Sequence, residues 1–100
     1  MRISSIEVNQ ILLGKPNVTF KVREVSEWVT QADKTQVKKF VIWKAGKLYG
    51  GEVIRKYIET KEGGEFVYSH EKTKVVDLVE VQDVCVKDEK GNRIVVYRRK

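Results

Sequence analysis

Two tryptophans, Trp28 and Trp43, stand among basic residues that recur at strand spacing. Lys21 and Arg23 precede the first, Lys38 and Lys44 flank the second, and Lys47, Tyr49 and Arg55 follow. Rings and positive charge interleaved in this way suit the gripping of a nucleic acid strand. Bases stack on aromatic faces for roughly 1–3 kcal/mol each, while ammonium and guanidinium groups hold phosphates. These nine residues are the candidates for nucleic-acid contact. Trp43 is the sharpest of them, because it ends a run bearing Lys38, Lys39 and Lys44 just before a glycine-rich turn, where a ring can keep one face open. The competing role for any of the rings is core packing, since a Trp or Phe on an alternating strand buries a large apolar area. Phe20 and Phe40 fit that role better than the tryptophans do, and Tyr49, in the glycine-rich stretch, is expected to be exposed.

Catalytic chemistry finds little purchase. His70 lies between Ser69 and Glu71, and on a strand such neighbours point to opposite faces, so the three do not form a nucleophile–base–orienter array. It reads as a surface histidine. Cys85, between Val84 and Val86, is expected to be a buried, inert thiol. As the only cysteine it leaves no intrachain disulfide and no multi-cysteine metal site, and it suits a reducing, cytoplasmic setting. No G-x-x-x-x-G-K-[ST] pattern supports nucleotide hydrolysis. The expectation is a protein without enzymatic activity, cofactor, metal or small-molecule substrate.

The elements that position these residues are strands. Seventeen valines and seven isoleucines favour a pleated surface over a helix. The first run, with Ile3, Ile6, Val8, Ile11 and Leu13, predicts a bent strand or a strand with a short turn, rather than a clean helix, ending at Gly14-Lys15-Pro16-Asn17. Val18 to Arg23 alternates with period two, and the phase slips after Arg23, which predicts a bulge in a long strand reaching Val29. Thr30–Thr35 reads as a loop, Val37–Lys44 as a second strand, and Ala45–Gly51, with three glycines, as a turn or hairpin tip. Glu52–Thr60 fits either a helix or a strand, with strand favoured by composition. A turn at Lys61–Gly64 precedes a short strand over Phe66–Tyr68. Thr73–Val86 changes parity near Asp77 and Asp83, predicting two shorter strands or one strongly bent one. The clearest hairpin joins Val84–Val86 to Ile94–Tyr97 with Gly91-Asn92 at the turn. Six or seven strands with tight turns give an all-β fold, a sandwich or a small closed or partly open barrel, closure being one way to hide strand edges.

One hundred residues suit a single domain spanning 1–100. The net charge of +6 favours polyanionic partners. It is unevenly spread: residues 1–60 carry 11 basic and 6 acidic side chains, 61–92 carry 5 and 8, and 93–100 carry 4 and none. Arg98-Arg99-Lys100 reads as a frayed, solvated end or as an arm for phosphates. No stretch approaches the roughly 20 apolar residues of a membrane helix, and Met1–Asn9 lacks the pattern of a secretory leader. Abundant Lys and Glu with few Asn, Gln, Cys and Met follow the composition of thermophile proteins.

The segment Lys15-Pro16-Asn17-Val18-Thr19-Phe20-Lys21-Val22-Arg23-Glu24-Val25-Ser26-Glu27-Trp28 resembles the opening strand of the OB folds in archaeal single-stranded DNA-binding proteins and replication protein A. The likeness covers residues 15–43. It implies an OB-like barrel of about five strands, here with an added C-terminal hairpin, that binds single-stranded DNA or RNA. The sequence departs from that pattern after Trp43, where Ala45-Gly46-Lys47-Leu48-Tyr49-Gly50 replaces the family's Asp-Glu-Thr-Gly turn. A rival expectation is a small structural subunit or adaptor of a larger protein assembly. Exposed rings in a basic groove favour the first reading, and an open apolar patch or a free strand edge favours the second.

Overall fold

The computed structural model describes Met1–Lys100. Strands dominate, as the β-branched composition predicts, and they form an antiparallel sheet that does not close into a barrel. The elements in chain order are β1 (Arg2–Ser4), α1 (Ser5–Leu12), β2 (Lys21–Val25), β3 (Val29–Thr30), β4 (Gln36–Lys44), β5 (Lys47–Thr60) and β6 (Gly63–Tyr68). A 3-10 turn (Ser69–Lys72) then leads into β7 (Val75–Asp77), β8 (Val79–Lys87) and β9 (Arg93–Arg99). The main sheet runs β2-β4-β5-β8-β9, with β3 on β4 and β6 on β5, and β1 pairs separately with β7.

Helix α1 stands where a bent strand is expected from the sequence. Its start is fixed by a reciprocal cap: the Glu7 amide donates to Ser4 Oγ at 3.1 Å, and the Ser4 amide donates to the Glu7 carboxylate at 3.0 Å. That bond from the Ser4 backbone, helped by the Ser4 hydroxyl, holds the Glu7 carboxyl below its usual pKa. Val8, Ile11 and Leu12, spaced i, i+3 and i+4, then form one stripe against the sheet.

The long strand expected from Val18 to Val29 is shorter than its alternation suggests. Only Lys21–Val25 and Val29–Thr30 pair with β4, and the register slips between Val22 and Glu24, at the place where the apolar phase changes. Residues 52–60 are strand, part of the 14-residue β5. The turn before it is tighter than three glycines suggest. Ala45 and Gly46, both at positive φ (52° and 76°), make a two-residue connection, and Leu48–Gly51 belong to β5. Gly51 is required for space: a Cβ there would lie 2.5 Å from both the Phe40 ring and Leu78 Cδ2.

Alternation gives the sheet two faces. On the helix face, Phe40, Ile42 and Val53 join Ile3, Val8, Ile11, Phe20 and Leu78 in the core. Only 11 of 100 residues are buried. The radius of gyration is 15.3 Å, above the ~13 Å of a compact chain of this length. The excess arises where β8–β9 and β5–β6 run past the strands that cover them: β8 pairs with β5 only through Val79–Val81, and β5 beyond Arg55 pairs only with β6. Cys85 lies on the first overhang, so it is exposed and not buried. A strand in a single layer gives its side chains no cover.

His70 is also corrected. The chain turns back beneath α1 at Ser69–Lys72, leaving His70 2 % exposed. Its Nε2 donates to Asn9 Oδ1 across 2.6 Å, and Nδ1 has no partner.

Gly51→Ala forces the Phe40 ring and Leu78 apart and is expected to destabilise the fold by about 1–3 kcal/mol. Urea unfolding checks this; an unchanged midpoint would show that the close approach at Gly51 is unimportant.

Candidate functional site

The nine candidate residues separate into three groups. Lys21, Arg23 and Trp43 lie on the open face, where Lys21 pairs with Trp43 and Trp43 with Leu48. Trp43 is 48 % exposed. Arg23, at the bulge, lies near the Tyr97 hydroxyl of β9, whose proximity raises the guanidinium pKa further. Lys44, Lys47 and Tyr49 sit on the helix face near the β4–β5 turn. Lys47 is 3.9 Å from Glu80, and Tyr49, expected to be exposed, is half-buried against the core. Trp28, Lys38 and Arg55 form the third group, at the other end of the helix face. Lys38 and Lys44 are six residues apart on one strand, about 20 Å at ~3.3 Å per residue. The nine therefore do not make one continuous groove.

The third group is the most tightly built. The Arg55 guanidinium carbon lies 4.0 Å from the centroids of both the Trp28 and Phe66 rings, and its Nε donates to Gln36 Oε1 at 2.8 Å. Pairing creates the arrangement: Gln36 opposes Arg55 on β4, Tyr68 opposes it on β6, and Tyr57 opposes Phe66. Lys38 places its ammonium 5.3 Å from the Trp28 ring. Neither cation has a carboxylate within ion-pair distance, and the terminal nitrogens of Arg55 make no hydrogen bond. Two cations held by rings and left unneutralised form a fixed positive spot with its terminal donors free. Around it the rings continue: Tyr57 meets Phe66 edge-on at 5.4 Å, Phe66 lies 6.4 Å from Tyr68, and Trp28 lies 6.0 Å from Tyr68. Tyr57 and Phe66 are 53 % and 39 % exposed and keep surface open for stacking. Arg55 covers one face of the Trp28 ring, and the ring also lines the cavity between α1 and the 3-10 turn.

Residue type alone points to Trp28, Lys38 and Arg55 but not to Tyr57, Phe66, Tyr68 or Gln36. A signal for the rings exists in the aromatic content of the two β-rich runs, Tyr57 beside Ile58 and Phe66 two before Tyr68, but only the register between β5 and β6 brings them together.

Two cavities flank this arrangement on opposite faces. The larger, about 590 Å³, is the hollow of the open face, floored by Val41, Gly50 and Gly51 and walled by Val79, Val81, Val95 and Tyr97. Its polar rim carries Glu24, Glu52 and Asp77 against Lys39, with Asp77 paired to Arg2 at 2.8 Å, so the two unpaired carboxylates there disfavour a phosphate backbone. The smaller, about 300 Å³, opens beside the third group between α1 and the 3-10 turn. Asn9, Leu12 and Leu13 line it from the helix side, facing Trp28, Lys38, Tyr68, His70 and Glu71. Burial lowers the pKa of His70, with nearby Glu71 opposing the shift, so the neutral ring is favoured. Nowhere do three or more His, Cys, Asp or Glu gather as metal ligands, and no helix is long and apolar enough to cross a membrane.

A histidine pKa depressed by folding means that the unfolded chain binds the proton more tightly. Stability is then unaffected well above the unfolded pKa of 6.5 and falls as pH drops below it, until the folded pKa is passed. His70→Gln is expected to flatten this part of the stability profile. Urea midpoints between about pH 7.5 and 5 check it, and an identical slope in the variant would place the acid sensitivity elsewhere.

Compared with protein-family models, curated proteins and solved structures, this chain has no match in any of the three.

Proposed function

We propose that this chain is a non-catalytic module that binds single-stranded DNA or RNA on the end of its helix face. The observation that carries this reading is the Arg55 guanidinium clamped between Trp28 and Phe66, beside Lys38, with no carboxylate partner for either cation. The clamp removes most of the side-chain entropy that a phosphate contact from a free arginine would cost, and it leaves the terminal N–H groups for phosphate oxygens. Bases adjoining those phosphates have Tyr57 and Phe66 within reach for stacking.

Within this reading the sheet is a partly open, OB-like barrel. The support is its curl, which brings Tyr97 of β9 to Arg23 of β2 at the two ends of the five-strand path. Its strand order follows the chain except that β6 and β7 intervene between the neighbours β5 and β8, whereas the OB type is a Greek key, so any likeness concerns shape and the β2–β4 pair and not the connectivity.

A second reading, an adaptor in a protein assembly, is favoured by one observation: the acidic-rimmed apolar hollow of the open face, with Trp43, Val79 and Val95 exposed around it.

The two readings separate in a titration of labelled oligonucleotides at several salt concentrations. With Lys38 and Arg55 each neutralising a phosphate, the logarithm of the binding constant should fall with log salt, and replacing both by Gln should reduce the slope by about 1.4, at roughly 0.7 per contact. Lys21→Gln, on the open face, should leave the slope unchanged. Absence of binding at low salt, or binding indifferent to salt, would favour the adaptor.

A further inference from the structure

We infer that the pocket between α1 and the 3-10 turn receives one guanine base of the bound strand. The inference rests on the nucleic-acid reading above and names what that site selects.

The pocket has the dimensions and walls for a base. At about 300 Å³ it is at the small end of ligand sites. Trp28 and Tyr68 meet at 59° with centroids 6.0 Å apart, so nothing planar slides between them. They form a corner against which a flat ring rests. Lys38 stands at the same pocket, and Arg55 lies on the far side of a shared ring, both placed for the phosphates that flank a base turned inward.

Its polar groups are asymmetric. Asn9 Oδ1 is occupied by His70 Nε2 at 2.6 Å, and burial favours a neutral imidazole whose single N–H makes that bond. The carboxamide is therefore held with its NH₂ group, which makes no other hydrogen bond, as the donor left for a ligand. Glu71, exposed and with no ion-pair partner, is an acceptor only. With His70 Nδ1 fully buried, the Lys38 ammonium placed for phosphate and the Tyr68 hydroxyl able to donate or accept, the groups that discriminate among bases are one amide donor and a two-oxygen acceptor. The complementary base edge needs one acceptor and two adjacent donors. Guanine has this set, with O6 as acceptor and N1–H and N2–H₂ as donors. Adenine, cytosine, uracil and thymine each present only one donor group on that edge, and a carboxylate facing their ring nitrogens or carbonyls is left unpaired or repelled.

The test uses fluorescein-labelled oligouridylates of about ten nucleotides, in which one central residue is U, G, A or C, titrated by anisotropy. The single guanine is expected to tighten binding about tenfold over the other three, the low end of what hydrogen bonds to a charged group contribute. Glu71→Gln should abolish that preference, whereas Lys21→Gln on the open face should leave both the preference and the all-uridine affinity unchanged. Guanosine monophosphate should bind far more weakly than the guanine-containing strand, yet more tightly than adenosine monophosphate. Equal affinity for the four strands, or a guanine preference that survives Glu71→Gln, would overturn the pocket and leave the nucleic-acid reading standing. Failure of every strand to bind would overturn both. A mononucleotide binding as tightly as the strand would also overturn the inference, by making the ligand a free guanine nucleotide.

Discussion

An eight-residue helix covers a sheet whose central strands are nine and 14 residues long, and that mismatch shapes the molecule. Val8 and Ile11 join Phe40, Ile42 and Val53 in one core, and the packing is close enough that position 51 has room only for glycine. Where α1 stops, the cover stops. The sheet beyond its C-terminal end must protect its own surface, and it does so by stacking Trp28, Arg55, Phe66 and Tyr68 on one another. The cations on the helix face are thus part of how an under-covered sheet is finished, and their free N–H groups make the same surface available to anions.

The rim of the open-face hollow and the end of the helix face differ in charge, although the open face also carries Lys21 and Arg23. The open face gathers Glu24, Glu52 and Asp77 around an apolar hollow, while the end of the helix face holds Lys38 and Arg55 without counter-charges. A net charge of +6 states only that cations exceed anions. Which surface a polyanion approaches depends on how strand alternation sorts them, because the field of a half-buried, unpaired cation outweighs that of a screened surface pair.

Much of the strand content is legible because period-two alternation is a local property. The phase change after Arg23 marks the slip between Val22 and Glu24, and the parity change near Asp77 marks the break between β7 and β8. Helix α1 is masked because Ile3, in a strand, and Val8 and Ile11, on a helix, together give a spacing that fits neither period. The spacing of Ser4 and Glu7 before an apolar run is nonetheless a readable capping signal. The misplacement of His70 and Cys85 has a different cause. Burial depends on what lies across from a residue: His70 is covered by a helix whose Asn9 is 61 positions away in sequence, and Cys85 lies on an overhang with no second layer. The same limit applies to the site. Trp28, Lys38 and Arg55 are identifiable by type, but their union with Phe66 and Tyr68 is set by strand register, which local pattern does not encode.

The two tryptophans sit on opposite faces, and their indole N–H groups give two separate signals in a proton–nitrogen correlation spectrum. Titration of the labelled protein with a short single strand is therefore the most direct measurement of which face binds. The account predicts that the Trp28 indole and the Arg55 and Lys38 side chains shift together while the Trp43 indole stays in place. Movement of the Trp43 signal with the Trp28 signal unmoved would contradict it.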